Sequence, residues 1–299
     1  MQPPLILRYE YAKRKDFDFL LASDIHMEDP YHDAALFKED FDWAKEVGAE
    51  IFVNGDHCRA IAPDDRKRYV KGQDLLTYQA QANEMAHIIY EKYLPYVDNI
   101  RLLGYGNHES SWIKYKYSDF LQMAVVKLNQ HRPMDNPIVL GGYRGWIRML
   151  FRHSEKGGQG HHFDMYYCHG SGVAAEVTKG MIDLERSKYR RADLIWLGHK
   201  HKRTYDGNLQ EEGINDAGRV YERDRVGIIT GAYMSNQNIR EYDDQSIAGY
   251  IPDFVEERTR TPQGRGGCRL KIFFKCPEKN YEMFFEPHFT HRGGERVVA

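Results

Sequence analysis

The residues of this chain that could do chemistry fall in five short blocks: Asp24-Ile25-His26, Gly55-Asp56, Gly106-Asn107-His108-Glu109, His169-Gly170 and Gly198-His199-Lys200-His201. They offer carboxylate, amide oxygen and imidazole, the donors that hard and borderline divalent cations prefer. Two such cations about 3.5–4 Å apart can clamp a phosphoryl group and bring the pKa of bound water down toward about 7. Asp56 follows a glycine at a predicted strand end, where the backbone can turn sharply and one carboxylate can be shared between two ions. Asn107 adds coordination without adding negative charge that would repel phosphate. His199 and His201, two residues apart, point the same way on an extended segment; a turn between them would send them to different ions. Each block is weak alone, but the ordered set is not.

Such blocks need elements that deliver them to one place. Asp16 to Ala22 (DFDFLLA) is a β-prone run that ends at Ser23-Asp24. Asp33 to Val47 carries apolar residues at helical spacing, Gly48 closes it, and Glu50 to Val53 reads as a strand entering Asn54-Gly55-Asp56. Further along, a helix over Asp74 to Tyr93 precedes a strand at Ile100 to Leu103, and helices are expected over Tyr117 to Gln130 and Ala174 to Arg186. Strands at His162 to Cys168 and Asp193 to Leu197 end on His169 and on Gly198-His199. Five strands thus finish on a motif, and loops at strand carboxyl ends are where open α/β sheets gather ligands. Val220 to Thr230, Arg269 to Lys275 and Tyr281 to Glu286 add strands without intervening helices, which predicts a second, more antiparallel sheet packed on the first.

One domain over residues 1–299 is expected, with insertions or long loops at 57–99 and 236–267 and a polar tail at 288–299. Lys plus Arg total 42 against 44 Asp plus Glu, a formal net charge of −2, so no global basic field marks a nucleic-acid binder. No apolar run approaches the roughly 20 residues of a bilayer span, and the first ten residues lack a basic segment followed by an apolar core. A cytoplasmic protein with no membrane partner is the expectation. Cys58, Cys168, Cys268 and Cys276 have no Cys-x-x-Cys spacing and read as buried free thiols.

In order and composition the five blocks resemble those of the calcineurin-like metallophosphoesterase superfamily, over about 180 residues from Asp24 through His201. The resemblance implies an α/β fold: a metallophosphoesterase-type sandwich of two mixed sheets flanked by helices, in four layers α/β/β/α. It implies two divalent metal ions, with Asp24, His26 and His201 on one, Asn107, His169 and His199 on the other, and Asp56 bridging both. Manganese is the expected metal, with iron, zinc, cobalt and nickel as alternatives. His108 would bind no metal and would act beside the scissile group, as general acid or charge stabiliser, with Glu109 as its orienting carboxylate, directly or through a neighbouring contact. A metal-bound hydroxide would then attack phosphorus in line, with no covalent enzyme intermediate.

The substrate must be read from residues between the motifs. Protein serine/threonine phosphatases of the superfamily extend the second block to Gly-Asp-x-x-Asp-Arg-Gly; here it reads Gly55-Asp56-His57-Cys58-Arg59-Ala60, which argues against that class. Gly198-His199-Lys200-His201 is similar to the ending found in phosphodiesterases, repair nucleases included. After Glu109, Trp112, Lys114, Tyr115, Lys116 and Tyr117 interleave basic and aromatic side chains that could contact phosphates and stack bases. Arg66, Lys67, Arg68, Lys71, Arg186, Lys188, Arg190, Arg191, Lys200, Lys202 and Arg203 could line a groove for a polyanion. A phosphodiesterase acting on DNA or RNA is the expected function. A phosphomonoesterase on nucleotide, metabolite or phosphoprotein is the alternative, and a non-catalytic scaffold of the same fold a minor one.

Overall fold

The computed structural model describes residues 3–12, 14–29, 31–61, 81–154, 157–172, 178–214, 217–235, 264–275 and 282–290. Its elements run β1 (Leu5–Glu10), β2 (Asp16–Ala22), α1 (Ala34–Val47), β3 (Glu50–Asn54), α2 (Gln81–Tyr93), β4 (Ile100–Gly104), α3 (Asn107–Lys116), α4 (Phe120–Asn129) and β5 (Val139–Leu140). They continue with β6 (Arg144–Ser154), β7 (Gly157–Cys168), α5 (Met181–Ser187), β8 (Leu194–Leu197), β9 (Thr204–Ile214), β10 (Val220–Ile229), β11 (Cys268–Lys275) and β12 (Glu282–Phe289).

Alternation along β2 shows why the strands stack as they do. Phe17, Phe19 and Leu21 are buried against residues of the opposite sheet, while Leu20 and Ala22 join a cluster built with helices. Successive strand residues face opposite sides, so β2 is covered on both faces. The first cluster contains Leu36, Phe37, Phe41 and Ala44 of α1, Met85 and Ile89 of α2, and Leu121, Ala124 and Leu128 of α4. The second lies between the sheets, where Phe19, Leu21, Phe52, Leu102, Leu270 and Ile272 meet Ile147, Met149, Phe163, Met165 and Trp196. A third joins Leu184 of α5 to Tyr166, Ile195, Leu209 and Ile229. The layers are therefore α/β/β/α, as the resemblance implies. Each large side chain fully buried in them contributes roughly 1.5–3 kcal/mol.

One sheet has the order β12-β11-β2-β3-β4-β5 and the other β1-β6-β7-β8-β10-β9. β2, β3, β4 and β5 run parallel to one another, as do β7, β8 and β10, so each sheet sends a set of strand carboxyl ends to one edge. The two edges meet: Asn54 Nδ2 donates to the Cys168 carbonyl (3.0 Å), and Ser23 Oγ lies 2.7 Å from Thr230 Oγ1.

Several sequence expectations change. The late strands do not form one sheet of their own: β10 pairs with β8, whereas β11 pairs antiparallel with β2 and extends the first sheet. Alternation decides this, because β11 turns Leu270, Ile272 and Phe274 into the layer between the sheets. β1, β6 and β9 were not foreseen; β6 is the hairpin partner of β7, and β7 itself is longer than the expected 162–168. The helix expected over 117–130 starts at Phe120, capped by the Asp119 carboxylate accepting from Gln122 N–H (2.9 Å), and a separate α3 precedes it. The helix expected over 174–186 is seen as α5, with 173–177 outside the described residues, and that over 74–93 as α2, with 62–80 outside them. Most of the 236–267 loop (236–263) and of the 288–299 tail (291–299) also lies outside them, although His288 and Phe289 belong to β12. Cys58 and Cys268 are buried free thiols and Cys168 is a half-buried one; Cys276 lies outside the described residues. Among the described residues, no helix is long and apolar enough to cross a membrane.

Candidate metal centre

Five strands deliver the five blocks, β2, β3 and β4 from one sheet and β7 and β8 from the other. At their ends the backbone is strained in a concentrated way. Asp24, His26, Asp56, His199 and His201 all have positive φ, between 50° and 67°. A non-glycine residue in that region costs of order 1–2 kcal/mol, and such strain persists only where surrounding contacts over-determine it.

Those contacts are visible. Asp24 N–H donates to the Gly55 carbonyl (3.1 Å), and Ile25 and His26 N–H both donate to the Asp56 carbonyl (2.8 and 3.1 Å), so the first two blocks are zipped together. The buried Glu109 carboxylate accepts from the N–H groups of Asp56 (3.0 Å), His57 (2.8 Å) and Gly106 (2.8 Å), tying the second block to the third. A Cβ at Gly106 would lie 2.1 Å from Asp56 Oδ1, and one at Gly55 2.5 Å from Gly106 Cα, so only glycine permits this approach.

The side chains converge. His169 Nε2 lies 3.0 Å from Asp56 Oδ2, 3.1 Å from Asn107 Oδ1 and 3.9 Å from Asp24 Oδ1. His201 Nε2 lies 3.3 Å from both Asp24 Oδ1 and His26 Nε2. Donors held at about 2.0–2.2 Å around one ion are roughly 3.0–3.5 Å apart, which matches this spacing. Two groups emerge: Asp24, Asp56, His169 and His199, and Asp24, His26 and His201. Both carboxylates stand between histidines of the two expected half-sites, since Asp56 also groups with His26 and His108.

Buried polar atoms test whether these residues suit a cation. Asp24 Oδ1 has no hydrogen-bond partner although it is buried, an arrangement that costs about 1–3 kcal/mol or more for a charged group. Two imidazole nitrogens facing each other, as in His26 and His201, repel when both are unprotonated and are reconciled by a shared cation. The donor set therefore fits divalent metal. Supporting groups orient it: His169 Nδ1 donates to the Asn54 carbonyl (2.7 Å), leaving Nε2 free to ligate. Ser23 Oγ and His199 N–H donate to Asp24 Oδ2 (2.5 and 2.9 Å), leaving Oδ1 for the ion.

Electrostatics reports the same crowding. Burial opposes charge on His169, yet the Asp56 and Asp24 carboxylates raise it to about 10. Burial likewise opposes ionisation of Asp56, but His169 and His108 hold it well below the usual carboxylate range. Burial, with the charge of Asp56 beside it, pushes Glu109 up to about 8. Metal would take the place of the His169 proton, since an imidazole ligand must be neutral.

His108 stands at the edge of the group, its side chain 17% exposed and its Nε2 3.8 Å from Asp56 Oδ2. Its N–H donates to Asp56 Oδ1 (3.0 Å). Glu109 meets it only through this Asp56 turn, its carboxylate being taken up by backbone. His57, beside Asp56 in sequence, turns away into the core: its ring bridges the Gly104 carbonyl (2.9 Å) and Tyr93 Oη (2.8 Å), and burial pushes it down to about 4. Sequence reading missed the orienting roles of Ser23, Asn54, His57 and Thr230. Ser23 and His57 adjoin ligands and Asn54 lies two residues before one, which was the signal for them; Thr230 carried none.

Among the proposed groove residues, Lys200 is buried and bound to Asp183 (2.9 Å) and to the Ser171 and Gly172 carbonyls. Lys188 pairs with Glu185, Arg191 with Glu211, and Arg190 lies over the rings of Tyr166 and Tyr189. Internal partners thus account for these charges. Residues 66–71 lie outside the described residues.

No protein-family description matches this chain, and no curated protein matches it in sequence. Solved structures are similar over nearly its whole length. One is a conserved uncharacterised protein of Streptococcus pneumoniae, described as a predicted phosphoesterase (12% identity, TM-score 0.30, covering 91% of this chain and 98% of that one). Others are Vacuolar Protein Sorting 29 of Cryptosporidium parvum (11%, 0.34, 92% and 100%) and Vps29 of Entamoeba histolytica complexed with zinc (9%, 0.33, 91% and 99%). Likenesses this distant carry no weight for function. The architecture agrees with the metallophosphoesterase-type fold the resemblance implies, two mixed six-stranded sheets with flanking helices, and Asp/His clusters that could hold metal lie at their joined edges.

Proposed function

We propose that this protein is a metal-dependent phosphodiesterase. The observation that carries the reading is the convergence of Asp24, His26, Asp56, Asn107, His169, His199 and His201 on one edge, with the buried Asp24 Oδ1 facing the imidazole nitrogens of His201 (3.3 Å) and His169 (3.9 Å). Asp24, His26 and His201 would hold one divalent ion and Asn107, His169 and His199 the other, with Asp56 between them. When bound, the ions supply Lewis-acid polarisation of phosphoryl oxygens and activation of water near neutral pH. Manganese suits the mixed nitrogen and oxygen donors, as do iron, zinc, cobalt and nickel.

The chain's own residues do the rest. His108, at the edge of this cluster with its side chain 17% exposed, would lie on the leaving-group side and there donate a proton to, or stabilise, the departing oxygen. Glu109 acts as a positioning residue, fixing the turn that carries Asp56. A diester is favoured over a monoester by charge: a monoester brings up to one more negative charge, and the nearby cations Arg59 and Lys200 are already paired with Asp29 (3.1 Å) and Asp183.

The test is metal analysis of the purified protein together with turnover of bis(p-nitrophenyl) phosphate and p-nitrophenyl phosphate in manganese. Bound metal and diester hydrolysis support the reading. Hydrolysis of the monoester alone would move it to the phosphomonoesterase alternative, and a metal-free, inert protein to a scaffold.

A further inference from the structure

α3 begins at the proposed site and ends in an exposed aromatic turn. His108 and Tyr115 are seven residues apart, so they lie on one helix face, about 10.5 Å apart along the axis. Long helical side chains lean toward the N-terminus, the end of α3 that carries His108. Trp112, one turn after His108, is buried, yet Tyr115 is 64% exposed and Tyr117 92% exposed.

Lys114 Nζ sits 5.1 Å from the centroid of the Tyr115 ring, and Lys116 adds a second cation to the same last turn. Tyr117 caps the helix with φ 54°, a left-handed conformation that glycine or asparagine usually fills. Trp112 Nε1 donates to Ser118 Oγ (2.9 Å), pinning the turn in that shape. Two exposed tyrosines with interleaved lysines form the combination that binds single-stranded nucleic acid, aromatic faces for bases and ammonium groups for phosphates. A duplex covers its base faces by stacking and would not engage them. The chain's net charge of −2 makes such recognition a local affair.

We propose that the substrate is a single-stranded polynucleotide, with an unpaired base flanking the cleaved phosphodiester stacked on Tyr115 and the adjoining phosphates met by Lys114 and Lys116. This rests on the phosphodiesterase reading of the metal centre, and its test separates the two. Fluorescence anisotropy of a labelled oligothymidylate and of its duplex is measured on the parent protein and on Tyr115→Ala, Tyr115→Phe and Lys114→Gln. In parallel, kcat/KM is compared for single-stranded oligonucleotide and bis(p-nitrophenyl) phosphate. The single strand should bind more tightly than the duplex. Tyr115→Ala should weaken that binding about tenfold, the loss of one stacked base, and lower kcat/KM for the oligonucleotide about tenfold more than for the aryl diester. Tyr115→Phe should retain binding, and Lys114→Gln should flatten its salt dependence. Equal binding by Tyr115→Ala and the parent protein, or equal loss on both substrates, overturns the proposal. Aryl diester turnover without any oligonucleotide cleavage overturns it while leaving the phosphodiesterase reading intact; no diester turnover at all overturns the reading itself.

Discussion

The two ends of the strands in this molecule are built to opposite rules. At the amino ends of β2 and β3, a cavity of about 280 Å³ is lined by Tyr9, Arg14, Glu50, Asp98 and Arg101 among others. Its charges neutralise one another: Glu50 accepts from Tyr9 Oη (2.5 Å) and pairs with Arg101 (2.7 Å), which in turn bonds Asn136. At the carboxyl ends, five residues with positive φ crowd histidines and carboxylates together, and Asp24 Oδ1 faces His201 Nε2 (3.3 Å) and His169 Nε2 (3.9 Å). At the first end opposite charges pair with one another, although Arg101 Nε is buried without a hydrogen bond; at the second, carboxylates and imidazoles are gathered in groups that could hold a cation. What separates the two ends is the left-handed backbone concentrated on one edge and the like donors it crowds together there.

Substitutions should sharpen the contrast, beginning with the largest effect. Asp56→Asn removes the charge shared by both half-sites and should lower turnover by roughly a thousandfold and metal content with it, read by elemental analysis and diester hydrolysis. His108→Ala should cost about a hundredfold or more in kcat while metal stoichiometry holds; metal lost in this variant would make His108 a ligand. Glu109→Gln weakens the carboxylate anchor of four N–H groups, those of Asp56, His57, Cys58 and Gly106, and should lower metal affinity by about 10–100-fold, seen in chelator competition.

A pH effect follows from His57, next in size. Its folded pKa of about 4 lies below the ordinary 6.5, so below pH 6.5 the unfolded chain binds the extra proton. The stability it protects is complete above pH 6.5 and is lost as pH falls toward 4, amounting to about 3 kcal/mol. Denaturant titrations of metal-free protein at pH 7 and pH 4.5 would show this, and His57→Gln should blunt the difference. The smallest effect belongs to the charge-paired end. Glu50→Gln should cost about 1–2 kcal/mol of stability and leave metal content and turnover unchanged; a fall in metal content there would break the comparison.

Much of the site was legible because ligands sit at strand ends, where a short apolar run followed by Gly, Asp or His is a local pattern. The strands ending on Asp24, Asp56, Asn107, His169 and His199 could be placed that way. β1, β6 and β9 could not: β9 alternates polar residues with few apolar ones, and β6 is defined by the hairpin it makes with β7. α3 was invisible because its ten residues bury only Glu109 and Trp112, too thin an apolar stripe for periodicity. The role of Glu109 was hidden for a similar reason, since its partners are backbone N–H groups that every residue type carries.

By itself, the sequence determined which donor atoms are available, their order along the chain and the strands that end on them, because residue type and local periodicity are one-dimensional properties. The tertiary structure decided that these strands belong to two different sheets, that Asp24 and Asp56 both stand between the histidine groups, and that Lys200 and His57 are struts. Those outcomes depend on which faces are buried against each other across more than a hundred residues of chain, and no local pattern encodes that packing.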